Sequence, residues 1–157
     1  MANYSAAARS NVFIVKDVVK FIADIGMAAP EVTVEHRSRW GDIPGQVMMY
    51  SDCPDTGSWP SHVCWEDPEN DPPAGVVIHD DDGNGEIDWA ALVAPHLVEG
   101  QVCVMMESGH EKLRYVCGFS RAIYSDGRSV TVSLHDIYEK AAAEFGVSQD
   151  TITECAY

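Results

Sequence analysis

A β-hairpin is predicted by residues 113–132, which read LRYVCGFSRAIYSDGRSVTV. The turn falls at residues 126–127, because an Asp-Gly pair readily adopts the positive φ angles that tight hairpin turns require. The first strand runs from Leu113 to Tyr124, and the second returns from Arg128 to Val132. A strongly buried strand precedes them at Val102 to Met106, so the last third of the chain predicts an antiparallel sheet.

A helix is predicted directly after the hairpin. Ser133 and Asp136 resemble a capping box at its start, with Asp where Glu is more usual, and Gly146 supplies a stop at its end. Its apolar side chains recur at helical spacing and are expected to face the sheet; they are Ile137, Tyr138, Ala141, Ala142 and Phe145.

The first third of the chain predicts a strand, a helix and a second strand. The first strand, Ser10 to Lys16, is apolar nearly throughout, which favours burial on both faces. Asp17 is expected to cap a helix that runs to Ile25 and stops at Gly26. Apolar and polar residues then alternate in a half-exposed strand at Val32 to His36.

Shorter elements are predicted in the middle of the chain. Asp88 caps a short helix that Pro95 kinks or ends, and three short strands precede it, at 46–50, 63–65 and 76–78. No internal repeat or interdomain linker is found. Residues 1–157 therefore predict a single α+β domain with a mainly antiparallel sheet and about three helices.

The charge of the chain originates in one span. Residues 40–111 contain fifteen Asp and Glu residues and no Lys or Arg, while the rest of the chain carries ten acids against ten bases. The formal net charge of −15 at pH 7 is therefore the charge of this acidic central region. A single-sign block attracts cations and basic surfaces, and it repels nucleic acid and anionic membranes.

This charge distribution predicts a non-enzymatic interaction protein that binds the basic, nucleic-acid-binding surface of another protein, without binding nucleic acid itself. DNA presents about one negative charge per 1.7 Å of its axis, so a row of carboxylates can compete for a groove lined by Lys and Arg. The expected partner-binding acids lie within 66–88: Glu66, Asp67, Glu69, Asp71, Asp80, Asp81, Asp82, Glu86 and Asp88. Trp59 is added as an expected exposed anchor, because tryptophan beside charged residues often fills a pocket of a partner.

Calcium binding is the alternative function. Asp80, Asp82, Asn84 and Asp88 follow the spacing of an EF-hand loop at positions one, three, five and nine, with glycine at position six. Position twelve should be a bidentate carboxylate but is Ala91, and the preceding residues predict a strand instead of a helix. An exposed turn explains the same residues.

Other chemistry finds little support in the sequence. Cys53, Cys64, His62 and His79 could supply zinc ligands, but their spacing matches no zinc finger. The chain lacks a phosphate-binding glycine loop, a His-Glu-x-x-His motif and a Gly-x-Ser-x-Gly motif. A small enzyme that uses a carboxylate pair, or a cysteine such as Cys64 or Cys103 beside a histidine, is a third hypothesis. A phage structural or assembly protein is a fourth.

The expected compartment is the host cytosol. Five cysteines without framework-like spacing favour reduced thiols, no apolar run reaches membrane-spanning length, and the start lacks a secretory signal pattern.

Four blocks of the chain resemble recurring blocks of small acidic proteins that phages, plasmids and other bacterial mobile elements carry. They are Ser10–Asp17, Trp59–Ser61, Glu111–Val116 and Val132–Tyr138. The family brings no catalytic residues to transfer. The resemblance implies an inhibitor of a host defence system, such as a restriction or CRISPR complex, and several such inhibitors imitate the charge of DNA.

Overall fold

The computed structural model describes residues 4–36, 43–53, 56–65, 71–111 and 115–153. The strands are β1 (Tyr4–Ser10), β2 (Phe13–Ile14), β3 (Val32–His36), β4 (Gln46–Ser51), β5 (His62–Cys64), β6 (Val76–Ile78), β7 (Asn84–Ile87), β8 (Val102–Glu111), β9 (Tyr115–Tyr124) and β10 (Ser129–Ser133). The α-helices are α1 (Val18–Ala28), α2 (Trp89–Val93) and α3 (Asp136–Phe145), and short 3-10 helices lie at Ala94–His96 and Gln149–Thr151.

The strands form two antiparallel sheets. The seven-stranded sheet has the order β10-β9-β8-β1-β4-β2, with β3 also paired to β4. The three-stranded sheet has the order β5-β7-β6. The α+β prediction, with about three helices and mainly antiparallel pairing, is therefore confirmed.

The predicted first strand is divided in the structure. β1 ends at Ser10 and β2 begins at Phe13, because Asn11 leaves the strand and bonds to β8 through its side chain. Its Nδ2 donates to Val102 O over 3.1 Å, and its Oδ1 accepts the N–H of Val104 over 2.7 Å. The chain can then cross from β8 to pair with β4 without losing these backbone hydrogen bonds.

The start of α1 is as predicted and its end is not. Asp17 caps the helix by accepting the N–H of Lys20 over 3.0 Å. The helix continues past Gly26 to Ala28, where Ala28 and Ala29 are both buried in the core. Burial of these residues outweighs the weak preference of glycine for a helix end. Pro30 then disfavours a helical conformation at Ala29, which has a φ of −145° and a ψ of 74°.

The hairpin turn and the end of the last helix are as predicted, but the start of the helix is not. Ser133 ends β10 and donates its N–H and its hydroxyl to Asp136, and α3 begins at Asp136 with His135 at its N-cap. Gly127 has a φ of +93° in the turn, and Gly146 ends α3 with a φ of +67°. The prediction that the apolar residues of α3 face the sheet is wrong for Ile137 and Phe145, whereas Tyr138, Ala141 and Ala142 are half-buried and no residue of the helix is fully buried. Ile137 is 59% exposed and Phe145 is 73% exposed.

The core lies between the large sheet, α1, α2 and the inner face of the small sheet. Phe13 and Phe21 meet edge to face with their ring centroids 5.7 Å apart, and Met49, Leu92 and Ile123 are fully buried around them. None of the helices within the described residues is long and apolar enough to cross a membrane.

Candidate functional site

The three-stranded sheet and its flanking turns carry the predicted acids. β7 alternates, so that Gly85 and Ile87 are buried while Asn84 and Glu86 are exposed. One face of this sheet therefore belongs to the core and the other faces water. Six of the predicted acids lie on this sheet or beside it, and all six are exposed: Asp71, Asp80, Asp81, Asp82, Glu86 and Asp88. Glu66, Asp67 and Glu69 lie outside the described residues.

Asp80 organises the turn between β6 and β7. Its Oδ1 accepts the N–H of Asp82 over 3.1 Å and the N–H of Asn84 over 2.9 Å, and its Oδ2 accepts Nδ2 of Asn84 over 2.9 Å. These hydrogen bonds, first of all the one from the Asn84 side chain, hold the pKa of Asp80 below its usual value. Asp80 therefore stays ionised beside two further aspartates.

Asp88 also has a structural role, at the start of α2. Its Oδ1 accepts the N–H groups of Ala90 and Ala91 over 2.9 and 3.3 Å, as the sequence predicted for a helix cap. Asp80 and Asp88 therefore stabilise the local backbone and also contribute negative charge to the surface. Within the described residues, Asp81 and Glu86 accept no such hydrogen bonds from backbone N–H groups.

The calcium alternative does not fit this geometry. The oxygens of Asp80 receive N–H groups, Asn84 presents its amide nitrogen to them, and residues 84–87 are extended in a strand. The glycine that the turn requires is Gly83, with a φ of +81°, instead of Gly85. Among the described residues, no three His, Cys, Asp or Glu side chains are grouped so as to hold a metal ion, which also applies to the zinc hypothesis.

Gly85 has a different function in the small sheet. A Cβ at this position would lie 2.4 Å from the carbonyl oxygen of Val77 and 3.0 Å from a methyl of Ile78. Only glycine allows the neighbouring strand to pack this closely, so Gly85 serves the sheet and its match to position six of a calcium loop is coincidental.

The acids of the small sheet have little opposite charge around them. Within the part of the chain that the structure describes, their one ion-pair contact is from Nε2 of His79 to Oε2 of Glu86, over 3.8 Å. The Lys and Arg ion pairs of the described residues join Lys20 to Asp24 and Arg128 to Asp126, both outside the acidic central region. Carboxylates within a Debye length of about 8 Å add their potentials, so this surface is strongly negative.

No protein-family model, curated protein or solved structure matches the chain. A function can therefore be proposed only from the sequence, charge and geometry of the chain itself.

The prediction that Trp59 is an exposed anchor is wrong. Trp59 is 6% exposed, and its ring meets that of Trp89 at a centroid distance of 5.6 Å. Its indole Nε1 donates to Met106 O over 3.1 Å, and its backbone N–H donates to Oε2 of Glu107 over 2.8 Å. Trp59 therefore fixes the loop before β5 against the large sheet, and the acidic surface is held by a buried aromatic pair.

Glu107 is the one residue of this junction that could have been found from the sequence. It is an isolated acid in an apolar strand, and the structure buries it with 9% exposure as the acceptor for Trp59. A cleft of about 310 Å³ lies beside it, lined by Trp59, Trp89, Phe119 and Arg121 among others. Since Glu107 and Arg121 both have protein partners, with Arg121 Nε donating to Thr131 Oγ1 over 3.3 Å, we interpret the cleft as the seam between the sheets.

The cysteine hypothesis loses its best candidate. Cys103 is fully buried, and burial raises the pKa of its thiol to about 12. A thiol that stays protonated at neutral pH is a poor nucleophile, so Cys103 acts as a core residue. Cys64 is exposed at the edge of the small sheet, and Cys53 lies in the loop before Trp59 with its Sγ 3.2 Å from Thr56 Oγ1.

Proposed function

We propose that this protein is a non-enzymatic inhibitor that uses its acidic sheet to occupy a basic, nucleic-acid-binding surface of a host defence protein. The observation that carries the proposal is the segregation of charge. Six exposed carboxylates lie on one small sheet and its turns, in a span of sequence that contains no Lys or Arg. The setting, a mobile element acting against a host defence, comes from the resemblance of the four sequence blocks.

The close spacing of the acids suits this role. Asp80, Asp81 and Asp82 are consecutive in the turn between β6 and β7, and Glu86 follows on β7. Consecutive Cα atoms are about 3.8 Å apart, close to the spacing of about 3.4 Å per charge along one strand of DNA. Counterions are released when a groove lined by Lys and Arg binds either ligand, and their release favours binding.

The burial of Trp59 and Trp89 adds a second argument. A surface that competes with DNA must hold its charges in place, because a mobile acidic segment loses conformational entropy when it binds. Here the turn of Asp80 is fixed by hydrogen bonds, and the sheet is attached to the core through the Trp59–Trp89 pair. The charges are therefore preorganised for binding.

A matched pair of variants tests the proposal. The sheet variant changes Asp81, Asp82 and Glu86 to Lys and leaves the structural residue Asp80 in place. The control variant makes the same change at three exposed acids outside the central region, Glu31, Glu139 and Asp150. Both variants change the net charge equally, so any difference between them reports the position of the charge and not its total.

The measurement is a pull-down from host lysate with wild type, sheet variant and control variant as baits. We expect wild type and control variant to recover the same nucleic-acid-binding complex, which high salt releases and duplex DNA competes away. The sheet variant should recover much less of it. Equal recovery by all three baits, or recovery that DNA does not reduce, would contradict charge mimicry.

A thermal melt with calcium against chelator tests the alternative function separately. A specific site at a hundred times its dissociation constant would stabilise the fold by about 2.7 kcal/mol. From the geometry of the Asp80 turn we expect no such stabilisation. A rise in melting temperature that the Asp82→Asn variant abolishes would restore the calcium hypothesis.

A further inference from the structure

Two apolar surfaces of the chain are left in water, one on the large sheet and one on α3. The first is the outer face of the large sheet, opposite the core. The ladder places Met106, Ser120 and Val132 side by side on this face, next to Val104, Ala122 and Val130. Met106 is 58% exposed and Val130 is 62% exposed, whereas Met105 and Ile123 on the other face are buried.

This outer face is concave. A groove of about 700 Å³ crosses it, because small residues form its floor where the neighbouring strands carry larger ones. Ala7, Ser108, Gly118 and Ser120 line the floor, and Leu134 stands at one side, in contact range of Gly118. The groove is therefore mainly apolar and open along its length.

The second surface is the apolar stripe of α3. Ile137, Ala141 and Phe145 recur every four residues and so lie on one side of the helix. Ile137 and Phe145 are exposed, although apolar and polar residues are separated around α3 as clearly as around α1, which packs in the core. An amphipathic helix of ten residues is marginal in water without such packing, so the stripe predicts a covering surface.

We propose that the protein forms a symmetric dimer in which α3 of each copy lies in the groove of the other. A twofold dimer requires one self-complementary patch, and a ridge and a groove on the same chain meet that requirement. Both surfaces are covered at once, with Phe145 and Ile137 against Met106, Val132 and Leu134. The occupant is a second copy because the chain itself provides the matching surface.

The edge of the large sheet supports the same interface. β10 is an outermost strand, and its sequence Ser-Val-Thr-Val-Ser contains no charge and no proline. Soluble proteins usually protect an exposed edge with such residues, so an unprotected edge predicts a partner or a cover. Val132 and Ser133 of β10 line the groove, so a helix bound there would shelter this edge.

Charge also favours this arrangement over others. The groove is lined by one exposed base, Arg9, and by one acid, Glu107, which is buried and accepts the N–H of Trp59. The helix α3 carries three acids, Asp136, Glu139 and Glu144, against one base, Lys140. An acidic helix therefore meets a groove with an exposed Arg, whereas association through the acidic sheet would bring two strongly negative surfaces together. The dimer does not depend on the proposed function, but it would present the acidic surface twice.

Light scattering after size-exclusion chromatography tests the dimer at about 50 μM, a concentration that populates complexes of micromolar affinity. We expect wild type to have twice the chain mass of 17.2 kDa. Phe145→Glu and Met106→Lys should each give monomers with an unchanged circular dichroism spectrum, because both side chains are exposed within one chain. The control is Val19→Glu, which changes an apolar residue 79% exposed on α1, away from the groove, and should remain dimeric.

Mixing the two monomeric variants distinguishes the helix-in-groove geometry from other dimers. In a mixed pair, the wild-type helix of the Met106→Lys chain meets the wild-type groove of the Phe145→Glu chain. The second contact then joins Glu on the helix to Lys in the groove, so the mixture should recover the dimer. A monomeric wild type would overturn the proposal, and so would failure of the mixture to dimerise. The sheet variant of the previous section should stay dimeric, so the two proposals fail separately.

Discussion

The three-stranded sheet and the last third of the chain both expose side chains that other proteins neutralise or bury, but the side chains are of opposite kinds. The small sheet exposes carboxylates. Among its described acids, the one ion-pair contact joins Glu86 to His79. The β8–β10 face and α3 expose Met106, Val130 and Phe145. Charge acts over about a Debye length, whereas apolar surface acts only on contact.

Under the two proposals, this difference corresponds to different functions of the two regions. A negative field speeds the approach of a basic partner and depends strongly on salt. An apolar groove with a matching helix holds one shape in a fixed orientation and depends little on salt. The two proposals therefore place recognition of a foreign partner on the small sheet and self-association on the last third.

The largest loss of stability is expected for a substitution at Trp59, where the small sheet joins the large sheet. Trp59→Ala removes the ring that packs on Trp89 and the donor to Met106 O. We expect a loss of about 3 kcal/mol in the free energy of unfolding, as for other buried aromatic residues replaced by Ala. Urea unfolding measures it, with the exposed Val19→Ala as a control that should change by less than about 0.5 kcal/mol. A loss below about 1 kcal/mol for Trp59→Ala would mean that the sheets are joined in another way.

The next prediction compares the loss of stability from a Gly→Ala substitution in one turn of each region. Gly83 and Gly127 both have positive φ, but a Cβ at Gly83 would lie 2.1 Å from the carbonyl oxygen of Trp65, while a Cβ at Gly127 would meet no atom within 4 Å. Gly127→Ala should therefore cost about 1 kcal/mol, from the backbone conformation alone. Gly83→Ala should cost about 2 kcal/mol or more, because the Trp65 backbone must also move. Equal losses in urea unfolding would contradict this account of the acidic turn.

These turns show which features a sequence can predict. The cap at Asp88 and the Asp-Gly turn of the hairpin depend on neighbours within a few residues, and both were predicted correctly. The burial of Trp59 depends on Met106 and Glu107, which lie 47 and 48 residues away, and no local pattern contains that contact. The position of α3 was missed because the sequence shows that a helix has an apolar stripe, but not whether the stripe is covered within the same chain.

The sequence predicts how many acids the central region contains, but not how they are arranged on the surface. The count of carboxylates within 40–111 follows directly from the sequence. Which of them build the surface follows only from the structure, since Asp80 and Asp88 use their oxygens for the turn and the helix cap. The same spacing that resembles a calcium loop is produced by an ordinary turn between two strands.

A smaller effect on stability is expected for Asp80, and unlike that of its neighbours it should depend on pH. Because hydrogen bonds lower the pKa of Asp80 in the folded state, its carboxylate stabilises the fold above the unfolded value of 3.8. This contribution is lost as pH falls through the lower, folded pKa. Asp80→Asn should therefore lower the melting temperature at about pH 7, and the difference from wild type should shrink as the pH falls below 3.8.

Asp81→Asn is the matched control for this measurement. Its carboxylate is exposed beside that of Asp80, and the hydrogen bonds of the turn are not made by it. We expect little change in melting temperature at either pH. An Asp80→Asn difference that stays constant from neutral to acid pH would show that ionisation of Asp80 does not stabilise the turn.

The most direct test of charge mimicry is competition with DNA. A complex recovered by the wild-type bait is purified and saturated with labelled duplex DNA. Wild type, sheet variant and control variant are then titrated against it. We expect wild type and control variant to displace the DNA at similar concentrations, and the sheet variant to require at least about tenfold more, a loss of about 1.4 kcal/mol in binding free energy. Displacement by the sheet variant at the wild-type concentration would contradict the assignment of recognition to the acidic sheet.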